Sequence, residues 1–184
     1  TRRAVQGADI AVYLVHSMLP SARLTQGSFH DMDLILADNF ARGCAAAGID
    51  RIVYLSGLVP EAEELSAHLA SREEVERALQ SYGASVTSLR AGMIVGAGGS
   101  SFRMLYKLVK RLPWMVCPAW TQSRMQPIDV GDVVELLARC VEMAPLPEGA
   151  HDIGGPDIYS YRGLIEATGT ALKRRTRIVD FPSV

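Results

Sequence analysis

The apolar residues of this chain switch between two spacings along its length. Ala8 to Val15 (A-D-I-A-V-Y-L-V) is almost continuously apolar, β-branched or aromatic, the texture of a strand covered on both faces in a parallel sheet. Ser28 to Ala47 places Phe29, Met32, Leu36, Phe40 and Cys44 at three- and four-residue steps. That spacing predicts a helix capped by Ser28, with Asp31 in its first turn and Gly48 at its end. Arg51 to Leu55 predicts a second strand. Ser66 opens a helix to about Tyr82, which Gly83 ends. Val86 to Val95 predicts a third strand. After G-A-G-G-S-S, a further helix is predicted with Phe102, Leu105, Leu108 and Leu112 inward.

Strand and helix thus alternate three times, and right-handed crossovers within one parallel sheet satisfy that order. After Pro113 the texture changes. P-W-M-V-C-P-A-W holds two prolines and both tryptophans, and reads as a loop or lid. Met125 to Ile128 predicts a short strand. Asp129 and Asp132 then start a helix with Val133, Val134, Leu137 and Val141 inward. Beyond A-P-L-P-E-G come a strand at His151 to Ile153, a helix capped by Ser160, and a last strand at Arg177 to Phe181. The opening T-R-R-A-V-Q-G-A-D reads as the end of a helix feeding the Ile10 strand. The sequence is therefore expected to be the later part of a domain.

Length and composition narrow the class. One domain fits 184 residues, and 48% hydrophobic with 21% charged residues excludes a disordered chain. A net charge of −1 with interspersed signs offers no nucleic-acid patch or polybasic membrane anchor. The longest apolar run, Ile10 to Val15, is too short to span a bilayer. Cys44, Cys117 and Cys140 are odd in number and far apart, so buried reduced thiols and a cytoplasmic location are expected.

The candidate chemistry gathers where strands end. Ser56 closes the second strand and Gly57 lets a ligand approach the backbone, at the carboxyl edge where open α/β sheets hold ligands. The alternative is a serine starting a turn. His68 and Arg72 stand one helical turn apart and continue the stripe of Val75, Leu79 and Tyr82 toward the sheet rim. Histidine exchanges protons near neutrality and arginine forks to phosphate or carboxylate; otherwise both are simply solvated. His16 and Ser17 end the first strand, as site residues or as a turn. Gly96 to Ser101 (G-A-G-G-S-S) lacks the last glycine of a dinucleotide loop and the later acidic partner, so it reads as a flexible loop on the substrate side. His30 and His151 show no ligand spacing, and no metal site is expected. Trp114, Met115, Trp120 and Met125 form either an apolar pocket wall or ordinary core.

Taken in order, D-I-A-V-Y-L-V-H-S, R-I-V-Y-L-S-G-L, S-A-H-L-A-S-R, L-R-A-G-M-I-V-G-A-G, Q-P-I-D-V-G-D-V and H-D-I-G-G-P-D cover nearly the whole chain. Together they resemble the atypical and extended short-chain dehydrogenase/reductase superfamily, nearest its NmrA-like and epimerase-like branches. The resemblance implies a Rossmann-like doubly wound parallel α/β sheet without its N-terminal βαβ part, with a small C-terminal α/β substrate region. Residues 1–112 would be the later part of the NAD(P)-binding domain, and 113–184 a lid and substrate-side region on the same domain. It further implies NAD or NADP as cofactor, lined by Val15, His16, Ser17, Ser56, Gly57, Ala91, Gly92, Met93 and Ile94. The family's catalytic Ser, Tyr and Lys map onto Ser56, His68 and Arg72, so two of the three are replaced, and Ala91 stands where a proline is usual. The implied function is an NAD(P)-dependent oxidoreductase or epimerase-like enzyme acting on a small molecule. The alternatives are a non-catalytic dinucleotide sensor or scaffold and a fragment held by dimer contacts. Nucleic acid and a membrane span are not expected, and a homo-oligomer is.

Overall fold

A computed structural model describes residues 3–16, 29–59, 67–143, 145 and 147–180, with backbone alone at 29, 30, 67–70 and 180. In chain order the elements are β1 (Ala11–Tyr13), α1 (Phe29–Ala47), β2 (Arg51–Gly57), α2 (Ala67–Gln80), β3 (Ser85–Ala91) and β4 (Ile94–Val95). Then follow α3 (Ser100–Arg111), β5 (Trp114–Cys117), β6 (Arg124–Met125), β7 (Ile128–Asp129) and α4 (Val130–Glu142). The last are β8 (Gly149–Ile153), β9 (Tyr159–Ser160), α5 (Tyr161–Ala171) and β10 (Arg177–Asp180).

The chain divides into two compact units, residues 1–91 with 135–153, and 92–134 with 154–184. Leu112, where the sequence changes texture, lies inside the second. The first holds a four-stranded sheet in the order β1-β2-β3-β8, every neighbouring pair parallel. The alternation of β2 sends Ile52 and Tyr54 to one face, with Tyr13, Val86 and the helices α1 and α2. Val53 goes to the other, with Leu89 and Cys140 of α4. Both faces are covered, as the near-continuous apolar strands require.

Helix α1 packs through Ala37, Ala41 and Cys44, and Asp33 is buried with them, whereas Leu36 of the expected stripe is exposed. The small side chains let the helix lie close to the sheet, so the true stripe is rotated from the one the larger residues suggest. Helix α2 keeps the expected stripe at Arg72, Val75 and Leu79, but Tyr82 lies beyond the helix and is exposed, its hydroxyl donating to Asp38 Oδ1 at 2.8 Å. The caps on Ser28 and Ser66 lie outside the described residues.

In the second unit the strands are short pairs: β4 with β7, β5 with β10, both parallel, and β6 with β9 antiparallel. The single strand expected over Val86 to Val95 is broken at Gly92 and Met93, and β4 leaves the sheet to pair with β7. The expected strand at Met125 to Ile128 is likewise two, β6 and β7. Gln126 and Pro127 separate them, because Pro127 has no N–H for a ladder. P-W-M-V-C-P-A-W is not a bare loop: Trp114 to Cys117 is a strand with Cys117 inward, followed by a 3-10 turn at Ala119–Gln122. In α4 the inward residues are Val133, Leu136, Leu137 and Cys140, while Val134 and Val141 are exposed. In α3 they are Leu105 and Val109, while Leu108 and Leu112 face out. The Ser160 cap is present, its Oγ accepting from Gly163 N at 2.9 Å. All three cysteines are free and buried.

Candidate functional site

Pleating gathers polar side chains on one face of the main sheet, toward the carboxyl ends of its strands. Tyr13 of β1 lies beside Tyr54 of β2, Tyr54 beside Ser88 of β3, and Ser56 beside Arg90. Helix α2, packed over this face, brings Arg72 and, one turn on, Glu76; α1 brings Asp33. All of these except Arg90 are more than nine-tenths buried, and Arg90 is half-buried.

Glu76 and Arg90 form a fork: Nε donates to Oε1 at 3.0 Å and the other guanidinium nitrogen to Oε2 at 2.6 Å. That hydrogen bond holds Arg90 above its ordinary range despite burial, with the Glu76 charge and Asp152, its neighbour on β8, adding to the effect. Among the described residues, three hydroxyls on the same face have no hydrogen-bond partner: Tyr13 OH, Tyr54 OH and Ser56 Oγ. The rings of Tyr13 and Tyr54 stack at a tilt with centroids 5.6 Å apart. Burial raises the Tyr13 phenol well above its ordinary range; the Asp33 charge and Tyr54 push the same way, and the Arg72 cation opposes them. Tyr13 therefore stays a neutral hydroxyl that can donate.

The expected site residues fall as follows. Ser56, Gly57 and Ala91 come together at the ends of β2 and β3, where Gly57 pairs with Ala91 and Leu58 N donates to Ala91 O at 3.0 Å. A Cβ on Gly57 would meet nothing within 4 Å, so the backbone is open beside Ser56. Val15 and His16 follow β1 and are exposed. Ser17 lies outside the described residues. His68 stands in the first turns of α2, and its side chain lies outside them too. Arg72 is buried rather than solvated. Gly92 and Met93 are half-buried in the break after β3, and Ile94 begins β4. Two of the glycines after β4, Gly96 and Gly99, are held by close neighbours. A Cβ on Gly96 would lie 2.6 Å from Val130 Cγ1, and Gly99 N closes a turn onto Gly96 O at 3.1 Å. Among the described residues no three His, Cys, Asp or Glu side chains gather as a metal ion requires. No described helix is long and apolar enough to cross a membrane.

Reading along the sequence missed Tyr13, Glu76 and Arg90. Tyr13 sits in an apolar strand and Glu76 in the charged run R-E-E-V-E-R; only the sheet register brings Arg90 to them.

No family model matches the chain. A stretch of 54 residues is 39% identical to auxiliary protein GraX of Staphylococcus aureus, covering 29% of this chain and 18% of that protein. The likeness to solved structures is far wider. UDP-N-acetylglucosamine 4-epimerase of Bacillus cereus superposes with a TM-score of 0.78 at 15% identity, over 99% of this chain and 68% of that one. The dTDP-4-dehydrorhamnose reductase of Bacillus anthracis, in complex with NADP, gives 0.79 at 14%, over 99% and 70%. WbmG of Bordetella bronchiseptica, in complex with NAD, gives 0.76 at 14%, over 100% and 63%. The chain shares the fold of these solved structures, and at these identities the likeness leaves the chemistry to the residues.

Proposed function

We propose that the protein is an NAD(P)-dependent oxidoreductase or epimerase-like enzyme acting on a small molecule. The observation that carries this reading is Ser56. Its buried hydroxyl has no partner, lies at the carboxyl edge of the sheet, and sits beside an open glycine backbone. A buried polar atom without a partner is costly, and a substrate oxygen there would satisfy it. The fold supports the nucleotide, since relatives of the same fold carry NAD or NADP.

The nicotinamide, when bound, supplies the hydride acceptor or donor. Val15, His16, Ser17, Gly57 and Ala91 to Ile94 would line it, and Ser56 would hold the reacting oxygen. His68 would exchange a proton with that oxygen, as an imidazole can near neutral pH. The Arg72 charge bears on the Tyr13 phenol, and its guanidinium would orient a ribose or substrate oxygen. Three free, buried thiols fit a reducing, cytoplasmic setting.

The test is turnover. The full-length protein, offered NADPH or NADH with quinones, aldehydes and nucleotide sugars, should transfer hydride to one of these classes. Ser56→Ala should lower that rate by about a hundredfold while nucleotide binding persists. Nucleotide binding with no turnover, unchanged by His68→Ala, would instead support a sensor or scaffold.

A further inference from the structure

The net charge of −1 conceals a division. The first unit carries nine Lys and Arg against fifteen Asp and Glu, a net −6, whereas the second carries ten against five, a net +5. Helix α3, with four of those cations, contains no acid. Arg103, Lys107 and Arg111 recur at every fourth residue, and Met104, Leu108 and Leu112 recur beside them at the same spacing. Both rows border one shallow groove along the helix. The apolar row faces out: Met104 is 64% exposed, Leu108 40% and Leu112 42%.

Aliphatic side chains beside a cationic row, on a helix without a carboxylate, are what an anionic bilayer surface accommodates. The apolar row enters the headgroup boundary while the long basic stems reach outward to phosphates.

We propose that the second unit docks on an anionic lipid surface through the outer rows of α3. The charges alone would also suit nucleic acid. That ligand would leave the aliphatic row wet, because Met and Leu offer bases no stacking platform. No membrane crossing is involved; the helix would lie along the surface.

The experiment is sedimentation of the full-length protein with vesicles of phosphatidylcholine, with and without about one third phosphatidylserine. The protein should pellet with the anionic vesicles and not the neutral ones, and high salt should release it. Arg103→Glu with Lys107→Glu should weaken binding by at least about tenfold, and Met104→Ser with Leu108→Ser should weaken it likewise. All four positions are on the surface, so unchanged circular dichroism and melting would confirm intact variants. Equal binding to both vesicles, no binding to either, undiminished binding of the charge-reversed variant, or preference for duplex DNA or an acidic peptide would overturn the proposal.

Discussion

Arg90 and Glu76 illustrate how a single pair shapes the buried face. The fork is largely shielded, with side-chain exposures of 20% and 11%, so removing one partner strands the other charge. Arg90→Met should cost about 2–3 kcal/mol in urea unfolding, and Arg90→Met with Glu76→Leu should recover most of it. Tyr13 makes the complementary case. Its phenol holds its proton more tightly folded than unfolded, so the stabilisation is complete below the unfolded value near 10 and declines as pH rises above it. Denaturant midpoints measured from about pH 8 to 11 should fall more steeply for the native protein than for Tyr13→Phe. Of these residues, Ser56 and Arg72 were legible because a strand end and a helical stripe point at them. Tyr13 was not, since a tyrosine in an apolar strand reads as a hydrophobe. Glu76 was hidden in a charge run whose buried member only the β3 register reveals.

Among the elements, the main sheet, α3, α5 and β10 followed from their patterns, and β5 did not. Strand β5 is bracketed by prolines, and its alternation is only four residues long, too brief to outweigh them. Its register partners on β10 lie 63 positions away, as Trp114 with Arg177, so nothing local announces the pair. The face of α3 was misread for a related reason. Leu108 and Leu112 fit a helical stripe, but Val109 takes the buried place and turns both leucines outward. Close backbone approach makes another element testable. A Cβ on Gly155 would collide with the Pro127 carbonyl, where Gly155 N donates at 3.0 Å, and backbone cannot swing aside as a side chain can. Gly155→Ala should therefore destabilise by about 1–3 kcal/mol. Thermal melting checks this. Gly98→Ala, with open space around it, should change little and serves as the control.

At the scale of the molecule, the parallel order β1-β2-β3-β8 and the likeness to solved enzymes over nearly the whole chain make one arrangement of strand ends. The resemblance in the sequence anticipated that fold. Nucleotide binding is the step on which every proposed role depends. Calorimetric titration of the full-length protein with NADPH and with NADH tests it most directly. Saturable binding of at least one of them is the predicted result. Failure of both to bind a folded protein would contradict the account.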